Sequence, residues 1–276
     1  MKLIDGRSLA EKIRYSLKAK ISLLSRPPVL GIIEVGNNPV IGSFVKIKKK
    51  IGDSLGVEIK HKKLKEDTTT DILIEQVKKL SPLCDGVIVQ LPLPSHISTD
   101  EVLNAIPLEK DIDVLSALAI DAYRSRKSIY LPPVAGAVGH ILIEGGYINF
   151  GPDRIAVVVG KGRLVGQPVF DWFKNATNMV VEAVDDRTPD IKKHTFRADI
   201  IVSGAGVPGL ITPDMVGLNS VLIDAGTSEQ GGKLVGDIDP VCYEKCFFYT
   251  PVPGGVGPVT VAVLYENLVK ATQAQT

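Results

Sequence analysis

The chain has 276 residues, enough for one large or two ordinary domains with an ample core. Its net charge is +1, so no general affinity for nucleic acid or other polyanions is implied. No apolar run reaches membrane-spanning length and no signal-peptide apolar region opens the chain; Cys84, Cys242 and Cys246 are too few and wrongly spaced for a disulfide framework or a zinc site. A cytoplasmic protein without metal or membrane partner is expected, with His61, His96, His140 and His194 structural or at the surface.

In chain order, Ser8 is expected to cap a helix running to about Leu24, with Leu9, Ile13, Leu17 and Ile21 four apart. Arg26, Pro27 and Pro28 end it. The apolar run 29–35 reads as a buried strand, followed by a turn at 36–39 and a helix over 41–55. A strand at 57–64, a helix at 68–80 and an apolar strand at 86–91 complete this half. Strands alternating with helices predict a mostly parallel sheet covered on both faces.

In the 41–55 helix, Ile41, Phe44, Ile51 and Leu55 form a three-four stripe that passes through Lys48. The other lysines fall mainly on solvated faces. Lys48 either packs its stem on the core and snorkels, or is a partly desolvated amine with a lowered pKa, fit for proton transfer. Gln90 sits at the carboxyl end of an apolar strand, where ligands of α/β sheets gather. Asp113, in KDIDVL, is either a helix cap or an acceptor for two parallel donors on a ligand ring.

In the second half a helix is expected over 134–143, and Gly145, Gly146 and Gly151 then loosen the chain. The apolar strand 154–159 runs straight into Gly160-Lys161-Gly162-Arg163-Leu164-Val165-Gly166-Gln167-Pro168, followed by a helix to about Asn175. Strand, glycine loop and helix is the dinucleotide-binding arrangement, although the third glycine falls one place later than in GxGxxG. The next strand, 179–184, ends in Asp185, Asp186, Arg187 and Thr188. An acid there favours the ribose hydroxyls of NAD; Lys161, Arg163 and Arg187 could counter it and bind NADP, or these charges merely cap the strand. Strands at 200–203 and 221–224 follow, with Gly204, Gly206, Gly226 and Thr227 just past their ends. The stretch 250–260, TPVPGGVGPVT, reads as neither helix nor strand; it is a loop whose backbone can approach a ligand. A helix over 261–271 closes the chain.

Three blocks, DGVIVQLPLP, GKGRLVGQP and TPVPGGVGPVT, stand in an order that resembles the bifunctional methylenetetrahydrofolate dehydrogenase/methenyltetrahydrofolate cyclohydrolase family. The resemblance implies an α/β fold: an N-terminal α/β folate domain and a C-terminal Rossmann-like parallel-sheet domain, with a cleft between them. The expected domains are 1–135, completed by 258–276, and 136–257. The resemblance further implies a homodimer, a folate substrate, and NADP as cofactor, with NAD possible because of Asp185 and Asp186. By position it places the catalytic roles on Lys48, Gln90 and Asp113, and substrate contact on Phe44, Pro253, Gly254 and Gly255. Cofactor contact falls on Gly160, Lys161, Gly162, Arg163, Val165, Gly166, Asp185, Asp186, Arg187, Gly204, Gly226 and Thr227. The chain departs from the family's pattern at Phe44, usually tyrosine; at Val114, usually glycine; at Leu131–Val134; and at Asp185–Asp186.

Overall fold

A computed structural model describes residues 2–275. In chain order its elements are β1 (Lys2–Leu3), α1 (Gly6–Ile21), β2 (Val29–Val35), α2 (Pro39–Leu55), β3 (Glu58–Leu64), α3 (Thr70–Leu80), β4 (Gly86–Val89), α4 (Thr99–Asn104), α5 (Ala117–Arg124) and α6 (Pro133–Gly145). They continue with β5 (Ile155–Val159), α7 (Gly166–Ala176), β6 (Val180–Val184), α8 (Ile191–Thr195), β7 (Ile200–Ser203), β8 (Val221–Asp224), β9 (Ser228–Gln230), β10 (Lys233–Val235), β11 (Phe248–Tyr249) and α9 (Val256–Ala274). Two compact units result. One holds the chain up to Lys12 and Pro133–Thr260; the other holds Ile13–Pro132 and the chain from Val261 onward.

The second of these units carries a three-stranded parallel sheet in the order β3-β2-β4. Central β2 is apolar almost throughout and buried, as a parallel strand bonded on both sides must be. Ile33, Val35, Val87 and Val89 meet Leu73, Val77, Val102 and Leu103 in one core. Edge strand β3 instead carries Lys60, Lys62 and Lys63, charges that blunt an exposed edge. In this unit α9 is buried nearly all round, through Ala262, Val263, Leu264, Tyr265, Leu268 and Val269. Its buried Asn267 is satisfied by the main chain: Nδ2 donates to Ile112 O at 2.9 Å and to Leu131 O at 2.7 Å.

The other unit is built on a six-stranded sheet, β1-β11-β8-β7-β5-β6, parallel at every pairing. Its core strands β5, β7 and β8 are near-continuous Val, Ile and Leu, with residues 200–203 and 221–224 buried throughout. The N-terminal β1 belongs to this sheet and pairs with β11, Lys2 opposite Phe248.

Three local expectations are corrected. Ser8 lies inside α1 and does not cap it. Asp5 does, accepting Arg7 N–H on Oδ1 at 3.0 Å and Leu9 N–H on its carbonyl at 3.1 Å. Along α2 the buried line runs through Ile41, Val45, Gly52 and Leu55, and Phe44 is 44% exposed. The last helix starts at Val256, so 256–260 is helical; Pro258 sits in the first turn, where its missing N–H leaves no helix bond unmade. Among the described residues no helix is long and apolar enough to cross a membrane, and no group of three or more His, Cys, Asp or Glu could hold a metal ion.

Candidate active site

Helix α2 starts firmly. The Asn38 side chain accepts Val40 N–H at 2.9 Å, Pro39 opens the first turn, and left-handed Gly56 closes the helix. This scaffold delivers Lys48, whose ammonium donates to Gln90 Oε1 at 2.8 Å. Gln90 lies one residue past β4 and is 9% exposed. Its N–H bonds Ile33 O at 2.8 Å and its amide donates to Leu91 O at 3.0 Å, which aims the side-chain oxygen at the lysine. From α9, Tyr265 donates its hydroxyl to the Lys48 carbonyl at 2.6 Å and fixes the backbone that carries the amine.

Burial lowers the Lys48 pKa from its ordinary value, and the Asp113 carboxylate opposes that shift. Burial raises Asp113 in turn, while Lys48 holds it down and Asp111 pushes it up. As whole residues both remain only half-buried, so the surroundings of the charged ends dominate. The structure thus brings Lys48, Gln90 and Asp113 into one unit, the amine bonded to the amide and electrostatically coupled to the acid.

Asp113 is not a helix cap. Ser116 caps α5, its hydroxyl accepting Ala119 N–H at 3.2 Å, and fully buried Asp111 braces the turn before it, its carboxylate accepting Leu115 N–H at 3.1 Å and Ser116 N–H at 2.7 Å. The turn between them forces Val114 to φ 57°. An L side chain there costs about 1–2 kcal/mol. Val114 is 3% exposed, and burying a valine contributes about 1.5–3 kcal/mol, enough to offset the strain. Val114→Ala, which loses packing and keeps the strain, is expected to destabilise by about 1–2 kcal/mol. Val114→Gly releases the strain and should lie about 1 kcal/mol above the alanine variant. Urea melts give the order; an alanine variant more stable than the glycine one would contradict the strain.

The other unit carries the glycine loop. Strand β5 ends at Val159, and Gly160 turns the chain at φ 94° while its N–H bonds Val184 O at 2.7 Å. Helix α7 then begins at Gly166, packed so closely that a Cβ there would overlap the Gly160 carbonyl oxygen and lie 2.6 Å from its carbon. Val165, the residue before the helix, offers no side-chain cap. A Cβ at Gly162 would meet no protein atom within 4 Å. The three glycines therefore divide the tasks of a dinucleotide loop: a tight turn, an open backbone, and close helix–strand packing. An uncapped helix N-terminus beside them suits a pyrophosphate. Gly204, past β7, lies against this loop, its carbonyl 2.8 Å from where a Gly160 Cβ would be.

At the end of β6, Asp185 is engaged by the protein itself. It pairs with Lys161 Nζ at 3.1 Å and accepts Thr188 Oγ1 at 3.0 Å and Arg187 N–H at 3.3 Å. Lys161 first, then Thr188, hold its pKa low. Asp186 and Arg187 are exposed, as are Arg163 and Thr227. Gly226 is buried just past β8, its N–H on Asp224 Oδ1 at 3.0 Å. In the same unit the 250–255 loop is anchored by Thr250, whose Oγ1 accepts Asp224 N–H at 2.9 Å. Pro253 is exposed, Gly254 half-buried and Gly255 buried. The loop rests on the start of α1: a Cβ at Gly6 would stand 2.6 Å from the Gly255 carbonyl carbon. Gly6 and Tyr265 carry no local signal, since each is defined by a contact with a distant segment, and Asp111 is marked only by bonds to nearby backbone N–H groups.

Comparison with known proteins divides the chain near the same point, between 113 and 132, but keeps 4–12 with the first domain and 261–276 with the second. Residues 4–113 match the tetrahydrofolate dehydrogenase/cyclohydrolase catalytic domain, and residues 132–276 match the NAD(P)-binding domain of the same family. The bifunctional protein FolD of Sulfurihydrogenibium sp. is 41% identical over 97% of this chain and 96% of its own length. Among solved structures, the bifunctional FolD methylenetetrahydrofolate dehydrogenase/cyclohydrolase of Campylobacter jejuni superposes with a TM-score of 0.95 at 33% identity, covering both chains fully. The Trypanosoma brucei methylenetetrahydrofolate dehydrogenase-cyclohydrolase, solved with NADP and an inhibitor, gives 0.91 at 32% identity over 99% of this chain and 97% of its own. The chain belongs to the tetrahydrofolate dehydrogenase/cyclohydrolase family.

Proposed function

We propose that the protein oxidises 5,10-methylenetetrahydrofolate to 5,10-methenyltetrahydrofolate and hydrolyses the product to 10-formyltetrahydrofolate. The observation that carries this reading is the desolvated Lys48 amine bonded at 2.8 Å to a fixed Gln90. In the first reaction the nicotinamide, when bound, would supply the acceptor for the hydride that leaves the methylene carbon. The glycine loop and the α7 N-terminus hold the cofactor by its pyrophosphate, so that the chain's contribution is alignment. In the second reaction water adds to the methenyl carbon and the carbon–N5 bond breaks. Lys48 takes a proton from the attacking water and returns one to N5; Gln90 orients the amine between these transfers. Phe44, four residues before Lys48 on the same helix, offers an exposed flat ring for the pterin. Pro253, Gly254 and Gly255 are assigned to ligand contact through their backbone.

Asp113 is assigned to the amino and ring N–H donors of the pterin. Asp113→Asn turns one acceptor into a donor facing a donor, and a lost charge-assisted pair of about 1.5–3 kcal/mol raises the folate KM roughly 10- to 100-fold. It also removes the charge that favours the Lys48 ammonium. The acid limb of hydrolysis, where the neutral amine appears as pH rises, should therefore move to lower pH. An unchanged KM and an unmoved limb would together remove Asp113 from the site.

NADP is the cofactor assigned, with NAD admitted by the acids at the end of β6. Asp185 is taken up by Lys161 and Thr188, which leaves exposed Asp186 to meet the ribose. Asp186→Ser should raise the NADP/NAD ratio of kcat/KM about tenfold, one charge contact's worth. No shift would mean that this acid faces solvent only. The protein is further assigned to the cytoplasm and to a homodimer, the latter tested by light scattering of the eluted peak.

The test of the whole reading is direct. The enzyme receives 5,10-methylenetetrahydrofolate with NADP or NAD while reduced nicotinamide and methenyl absorbance are followed together. Reduced cofactor with methenyl cleared faster than its spontaneous hydrolysis is expected. Accumulating methenyl would leave a dehydrogenase alone, and no reduction with either cofactor would overturn the oxidation.

A further inference from the structure

Two buried acids stand at the carboxyl ends of β7 and β8. Asp237 is fully buried and accepts four donors: Ser203 Oγ at 2.8 Å, Ala205 N–H at 2.7 Å and Gly206 N–H at 3.2 Å on Oδ2, and Val207 N–H at 2.9 Å on Oδ1. Three successive backbone N–H groups turned onto one anion form a nest of the kind that binds phosphate. Here the protein's own carboxylate fills it. Asp224, 1% exposed, accepts Gly226 N–H at 3.0 Å, Asp237 N–H at 3.2 Å and Ile238 N–H at 2.9 Å. One acid thus shapes the loop after β7. The other ties the loop after β8 to the segment that carries the first.

The arrangement is costly for a mere turn. Burial lifts the Asp224 carboxyl to about 6, and the charge of Asp237 adds to the shift. A neutral side chain would avoid that desolvation, but a carboxylate is acceptor-only and meets every donor without presenting one of its own. Both loops so fixed carry residues assigned above to the nicotinamide cofactor, Gly204 and Gly226.

We propose that Asp237, backed by Asp224, is a positioning residue for the nicotinamide cofactor: it holds residues 204–207 and Gly226 in the shape that receives the dinucleotide, without touching it. The proposal rests on the cofactor assignment above. Asp237→Asn keeps the size of the side chain but sets a donor against a loop N–H. The KM for NAD(P) is expected to rise about tenfold, the loss of one charge-assisted bond, with kcat at saturating cofactor and the folate KM little changed. Gly206→Ala reaches the same loop from outside. Its residue stands at φ 70° with no protein atom within 4 Å of a Cβ, so the strain falls on the loop and the core is untouched. It should raise the cofactor KM roughly threefold or more.

Hydrolysis of supplied 5,10-methenyltetrahydrofolate, which consumes no cofactor, reports the folded fraction in each preparation. A parallel fall in kcat and hydrolysis in both variants, with the cofactor KM unchanged, would mean a structural role only and overturn the proposal. If Asp237→Asn yields no folded enzyme, Gly206→Ala decides, and an unchanged cofactor KM there overturns it. Wild-type enzyme that hydrolyses methenyl but reduces neither cofactor would instead sink the cofactor assignment itself.

Discussion

Lys48→Met lowers hydrolysis of 5,10-methenyltetrahydrofolate by roughly 10²- to 10⁴-fold, the range attached to a positioned proton-transfer group. The fold is expected to survive. Methionine matches the lysine stem in length and in helix preference, so α2 keeps its line from Pro39 to Leu55. The substitution leaves Gln90 Oε1 without the ammonium, a loss of about 1 kcal/mol, but it also removes a charge that burial disfavours. These terms oppose each other, and the melting midpoint should barely move. Hydride transfer needs no proton at this atom and falls less than hydrolysis. The visible sign is therefore reduced cofactor with accumulating methenyl, where the wild-type protein clears it. Hydrolysis within about threefold of wild type would take Lys48 out of the mechanism.

Why Lys48 was legible while other parts of the site were not follows from range. A lysine on an apolar helical stripe is a conflict within a few turns of chain, and that conflict is visible in sequence. The strand, glycine loop and helix at 154–175 is equally local, and β5 and Gly160 lie within a residue of where the pattern sets them, while α7 starts about one turn early, at Gly166 inside the expected loop. The stripe itself was drawn one position off, through Phe44 where the structure buries Val45, because hydrophobicity alone does not separate a packed side chain from an exposed one. Pro258 falls in the stretch expected as a loop, though it occupies the one turn of a helix that tolerates it. Asp237 carries no local sign of its role in the sequence. Its partners lie 30 to 34 residues earlier, and three of them are backbone N–H groups, which leave no mark in a sequence. Strand β1 pairs with β11 across nearly the whole chain, a contact no local pattern announces.

Gly166→Ala should remove the dehydrogenase and spare the hydrolase. The added methyl would overlap the Gly160 carbonyl oxygen and stand 2.6 Å from its carbon and 3.0 Å from Lys161 Cα, all backbone. No side chain can rotate away to make room. Gly160 is itself locked by its N–H bond to Val184 and by Gly204 on its other side. The start of α7 must then move, in an interior packed to a density of about 0.74, at a cost of about 1–3 kcal/mol or more. The groups displaced are the helix N–H donors and the loop that hold the pyrophosphate, and alignment lost by about 1 Å costs on the order of 10²-fold. Lys48, Gln90 and Asp113 belong to the other compact unit, with its own sheet and core. Hydrolysis of supplied methenyltetrahydrofolate should then persist near the wild-type rate while NADP and NAD reduction falls about 100-fold or more. Equal loss of both activities would show that the variant had unfolded as a whole. An unchanged cofactor KM would mean that the α7 N-terminus does not hold the dinucleotide.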